Sequence, residues 1–79
     1  MKIKVLFFGP TADASGTRSA IRDVDIGTKS RGLFDQVLVD FPELGRHRLL
    51  FSLNQQYATG DEVIRDGDEL AIFTAVSGG

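Results

Sequence analysis

The sequence predicts an α+β fold: a mixed sheet of four or five strands packed on one main helix, with a single core. Three observations carry this. The N-terminal segment alternates apolar and polar residues with a strand period. A central segment repeats its apolar residues with a helical period. Three further strand-like pieces follow, separated by turn chemistry. A chain of 79 residues has room for one such domain and one modest core.

Lys2-Ile3-Lys4-Val5-Leu6-Phe7-Phe8 is the first strand. Ile3, Val5 and Phe7 share one face, and Lys2 and Lys4 stand on the other. Gly9 to Gly16 (GPTADASG) is turn chemistry throughout. Thr17 to Ile26, rich in β-branched residues, reads as the returning strand. Ile21 falls on the opposite parity from Val24 and Ile26, which a bulge or an early strand end would explain. Leu33, Phe34, Val37, Leu38 and Phe41 then form one apolar stripe at helical spacing. Thr28 or Ser30 can supply the N-cap hydroxyl, and Pro42 stops the helix near Phe41. Leu49 to Leu53 is the next strand, and Asn54-Gln55-Gln56 turns the chain. Tyr57 to Ile64 holds short irregular pieces. Asp66-Gly67-Asp68 is a turn, and Glu69 to Val76 is the last strand.

Composition removes several function classes. The 42% hydrophobic and 25% charged content is that of a globular domain, not a disordered chain. A net charge of -2 offers no electrostatic case for nucleic acid or an anionic membrane. No apolar run approaches the ~20 residues a bilayer span needs, and the N-terminus has no signal-peptide core. The chain has no cysteine, which removes disulfides, thiolate nucleophiles and cysteine metal ligands, and fits a reducing compartment; the expected location is the cytoplasm.

No side-chain constellation for catalysis is visible. Gly9-Pro10-Thr11 lacks the lysine and spacing of a phosphate-binding loop. His47, between Arg46 and Arg48, reads as a solvated surface residue. Asp61, Glu62, Asp66, Asp68 and Glu69 read as a solvated acidic face without calcium-loop spacing, so no metal is expected.

Two breaks in the pattern point to function. First, both terminal strands carry apolar residues on their two faces. Ile3, Val5 and Phe7, with Leu70 and Ile72, are the core set, which leaves Leu6 and Phe8, with Ala71 and Phe73, on the side no helix covers. Phe8 and Phe73 are therefore expected at the surface, near each other if their strands are neighbours, with Leu50 joining them. A clustered aromatic pair on an uncovered sheet marks a protein interface. Second, alternation fails after Val76, and the chain ends Ser77-Gly78-Gly79. Residues 1–75 are accordingly read as the domain and 76–79 as a flexible tail. Glycine has no Cβ and can thread a narrow channel. A terminal Gly-Gly suits a carboxylate, that of Gly79, which a second protein encloses and activates. The adenylating chemistry must then belong to another protein.

Val5-Leu6-Phe7-Phe8, Asp66-Gly67-Asp68-Glu69 and Val76-Ser77-Gly78-Gly79 together resemble the molybdopterin synthase small-subunit family over the whole length. The resemblance implies a ubiquitin-like β-grasp fold and a sulfur carrier that binds no cofactor of its own. It implies that a ubiquitin-activating-type enzyme uses ATP to adenylate Gly79, and that a sulfurtransferase supplies the sulfur of the resulting thiocarboxylate. It also implies that the tail enters the large subunit, in a tetramer of two small and two large subunits. There the sulfur passes to precursor Z to build the molybdopterin dithiolene. Phe8 and Phe73 match family positions that pack against partners. Thr74-Ala75 stand where the family often has Pro-Pro, which implies a less stiff approach to the tail. A sulfur carrier for thiazole or another pathway, a lysine-linked protein modifier and a plain interaction domain share enough of these features to remain alternatives.

Overall fold

The computed structural model describes residues 1–75; the predicted tail, Val76 to Gly79, lies outside the described residues. The elements in chain order are β1 (Lys2–Phe7), α1 (Pro10–Ser15), β2 (Ser19–Asp23) and α2 (Ser30–Asp40). A 3₁₀ turn (Pro42–Arg46), β3 (Leu49–Leu53), β4 (Gln56–Tyr57) and β5 (Glu69–Thr74) follow. The strands form one five-stranded mixed sheet in the order β2-β1-β5-β3-β4. The first and last strands are neighbours and run parallel at its centre, with Val5 against Leu70 and Phe7 against Ile72. The other pairings are antiparallel.

The period-two residues of β1 and β5 and the stripe of α2 meet in one layer. Ile3, Val5, Leu33, Val37, Leu70 and Ile72 are completely buried, and Leu44 joins them from the 3₁₀ turn. Phe34 stacks on Phe51 at 4.4 Å between ring centroids, which pins α2 to β3. Phe41, the C-cap residue of α2, sets its ring edge-on to Phe7 at 5.3 Å. Arg22 lies over the same Phe41 ring and pairs with Asp40 at 2.8 Å, so β2 is tied to the end of α2.

Five local expectations are corrected. The segment from Gly9 to Gly16 is not turn throughout but holds α1. Pro10 occupies the first turn, where its missing N–H costs nothing, and Gly16 closes the helix in the left-handed region, its N–H donating to Ala12 O at 3.0 Å. The second strand is shorter than Thr17 to Ile26: it ends at Asp23, and this early end is the reason for the parity break. Beyond it Val24 turns into the core, held by its N–H to Met1 O at 2.8 Å, while Ile26 is 91% exposed. Neither Thr28 nor Ser30 caps α2. Lys29 is the N-cap, without a side-chain bond, and the first N–H groups are satisfied from elsewhere in the chain: Ser30 N–H donates to Glu62 O (2.7 Å) and Arg31 N–H to Gly60 O (3.1 Å). The turn after β3 is only Asn54-Gln55, both at positive φ, and Gln56 already pairs with Leu53. The last strand, expected to reach Val76, ends at Thr74.

Candidate functional site

The face of the sheet opposite α2 is the candidate site. In β1 and β5 the side chains that do not enter the core are those at alternate positions, Leu6 in one strand and Ala71 and Phe73 in the other. Leu6 pairs with Ala71 across the parallel ladder, and Leu50 pairs with Phe73 across the antiparallel one. Phe8 follows β1 by one residue, and its N–H donates to Ile72 O at 3.1 Å, so the chain at Phe8 lies against that preceding Phe73. Phe8 is 53% exposed and Leu50 40% exposed, whereas Leu6 and Phe73 are half-buried. Leu6, Leu50 and Phe73 lie on this face in adjacent strands, and Phe8 is exposed just past the end of β1. Phe73 is more covered than its parity alone implies because neighbours flank it.

One of those neighbours is Tyr57, expected in a short irregular piece and found in β4. Its ring lies 5.8 Å from that of Phe73 and is 76% exposed. With a two-residue turn, Tyr57 falls opposite Ser52 and so on the face of Leu50. Ile21, opposite Lys4 in the β1–β2 ladder, extends the same face at its other side and is likewise exposed. An apolar strip thus runs across the open sheet, interrupted by Lys4. Beside Phe8, a cavity of about 570 Å3 opens between the end of β1, α1 and the start of β2, with Leu6, Phe8 and Ala12 in its wall and charges of both signs at its edge, Lys4 and Arg18 with Asp13.

The end of β5 lies at this face. Ala75, the last described residue, donates its N–H to Arg48 O at 2.9 Å, so the backbone just past β5 is held beside the residue that precedes β3. Arg46, His47 and Arg48 are exposed there, and Arg46 is paired with Glu43 at 3.4 Å. The tail residues Val76, Ser77, Gly78 and Gly79 lie outside the described residues.

Two of the acidic residues, Glu62 and Asp68, have structural tasks. Glu62 folds back beneath the N-terminus of α2 and accepts hydrogen bonds from Thr59 N–H (2.8 Å), Ser30 Oγ (2.7 Å) and Gly60 N–H (3.0 Å). The Thr59 N–H, then the Ser30 hydroxyl, hold its carboxyl down to about 2. Asp68 accepts from Arg65 N–H (2.7 Å) and from Asn54 Nδ2 (2.9 Å), which shapes the turn into β5. Among the described residues no group of three or more His, Cys, Asp or Glu is placed to hold a metal ion, and no helix is long and apolar enough to cross a membrane.

Comparison with known proteins agrees with this architecture. The model of the ThiS family matches residues 5–79. The chain is 32% identical over 83 residues to the molybdopterin synthase sulfur carrier subunit of Chlamydomonas reinhardtii, covering 100% of both chains. It superposes on the crystal structure of small archaeal modifier protein 1 from Haloferax volcanii with a TM-score of 0.88 and 27% identity, covering 100% of both chains. It also shares the fold of a chain in the complex of subunits 1 and 2 of the molybdopterin-converting factor from Helicobacter pylori, with a TM-score of 0.72, 21% identity and complete coverage of both chains.

Proposed function

The chain belongs to the ThiS family, and on that premise we propose that it is a sulfur carrier, the small subunit of molybdopterin synthase. The observation that carries this reading is the uncovered apolar face around Phe8, Phe73, Leu50 and Leu6, set at the end of the strand from which the chain runs on to Gly79. A protein whose reactive group is on its main chain needs no catalytic side chains. It needs a surface that partners grip and a terminus that they can enclose.

The chemistry takes place on the Gly79 carboxylate. An adenylating enzyme joins it to AMP, with pyrophosphate leaving from ATP. A sulfur nucleophile then displaces AMP and leaves a thiocarboxylate. ATP is consumed by that enzyme, and this chain holds no cofactor. The paired glycines at 78 and 79 have no Cβ and so fit a channel too narrow for other residues. The large subunit of the synthase is the acceptor's host and grips the face around Phe8 and Phe73. The activating enzyme meets the same face in a separate encounter, and the setting is the cytoplasm.

Mass spectrometry of the chain purified from its native cell tests this. The expected terminal peptide gains the mass difference of one oxygen exchanged for sulfur, and a variant lacking Gly79 neither gains it nor supports sulfur transfer. An unmodified terminus in cells that contain the activating enzyme refutes the carrier reading.

A lysine-linked protein modifier is the second reading, since the archaeal modifier protein superposes with a TM-score of 0.88 at 27% identity; a putative converting-factor subunit 1 from Pyrococcus furiosus superposes with 0.87, so the fold is common to both readings. A modifier would appear in cells as adducts on lysines of other proteins, each heavier by the mass of this chain. The carrier reading expects none.

A further inference from the structure

We infer that Thr11 is a positioning residue for partner docking: its hydroxyl sets the chain at Phe8 and Phe73 so that the two aromatic side chains present one surface. The inference rests on the docking role given to that pair above.

Thr11 is a polar residue with 0% exposure, in the first turn of α1. Its Oγ1 lies 2.6 Å from Phe8 O and 2.9 Å from Ile72 O. A hydroxyl carries a single proton, so this is one donor shared by two carbonyls on neighbouring backbone segments. One carbonyl belongs to Phe8 and the other to the residue before Phe73. Thr11 therefore bridges the β1 exit and the β5 backbone at the level of the aromatic pair.

The hydrogen bonds around it are partly redundant, and that redundancy identifies the role. Phe8 O also accepts the Thr11 N–H at 3.2 Å, and Ile72 O also accepts the Phe8 N–H at 3.1 Å. Removing the hydroxyl leaves neither carbonyl without a partner, so the domain loses little of its polar satisfaction. What it loses is a second tie between the Phe8 and Ile72 backbones, beside the Phe8 N–H bond to Ile72 O. Phe8 has particular need of it. It stands beyond the last residue of β1 and is followed by Gly9 at φ 58, a position with wide backbone freedom. Strand pairing does not hold Phe8 from its C-terminal side; Thr11 does.

The test uses the full chain and the synthase large subunit, with dissociation constants and thermal unfolding measured together. Thr11→Val is expected to weaken binding roughly threefold to tenfold, the equivalent of one ordinary hydrogen bond, with a small change in melting temperature. Thr11→Ser is expected to bind as the unmodified chain does. In a Phe8→Ala background, Thr11→Val is expected to add little, because the residue it positions is already gone. Normal binding by Thr11→Val alongside weakened binding by Phe8→Ala overturns the inference, as does full additivity of the two. Normal binding by Phe8→Ala overturns the docking reading itself. If Thr11→Val does not fold, Thr11→Ser against Thr11→Ala isolates the hydroxyl, and equal binding by those two overturns the inference.

Discussion

Leu50 stands directly across the antiparallel ladder from Phe73, and the pair lies on the face of the sheet that no helix covers. Tyr57 on the adjoining strand closes against the Phe73 ring at 5.8 Å. Phe73 is thereby the centre of an apolar cluster built from three strands, and the backbone of Phe8, just past β1, is bonded to the residue before it. Central, well-packed aromatics dominate protein interfaces, whereas peripheral contacts mainly exclude water.

Phe73→Ala and Phe8→Ala are therefore expected to weaken binding to the large subunit by about 1–3 kcal/mol each. Neither side chain belongs to the buried core, so the folded domain should persist. Titration calorimetry gives the affinity and circular dichroism the fold. Unfolding of either variant would show that these rings support the domain.

Stability should respond to acid through Glu62. Its folded pKa of about 2 lies below the ordinary 4.5. A group depressed in the folded state stabilises fully above its unfolded pKa and loses that contribution as pH falls through the folded one. Melting temperature should fall between about pH 5 and pH 2, and Glu62→Gln should flatten that slope. A slope unchanged by the substitution would mean that the carboxylate is not what clasps the 59–62 segment to α2.

The core is expected to be intolerant of truncation at Leu33. Its side chain is completely buried between α2 and the sheet. Leu33→Ala should cost about 2–5 kcal/mol, as lost transfer energy and an unfilled cavity add together. Denaturant titration measures this. A cost below that of one methylene would show that the site collapses around the smaller residue.

Much of this molecule follows from local chemistry that a sequence states openly. Side chains alternate along a strand and recur every 3.6 residues along a helix, so Ile3, Val5 and Phe7, and Leu33, Phe34 and Val37, declared their burial before any neighbour was known. The same parity put Leu6, Leu50 and Phe73 on the open side, and the absence of cysteine closed off thiol chemistry. The tertiary structure decided what depends on residues far apart in the chain. Helix α1 was hidden because Pro and Gly signal turns and short helix ends alike; what anchors this one is the buried Thr11, whose second acceptor, Ile72 O, is 61 residues away. The start of α2 was misassigned to its own hydroxyls because its donors are met by Glu62 and Gly60, which only folding brings there. Tyr57 reached the apolar face through a turn of two residues where three were expected, and a shift of one position reverses every side chain in a strand. Periodicity is a property of neighbours in sequence. Who satisfies a helix end, and which rings meet across strands, is a property of neighbours in space.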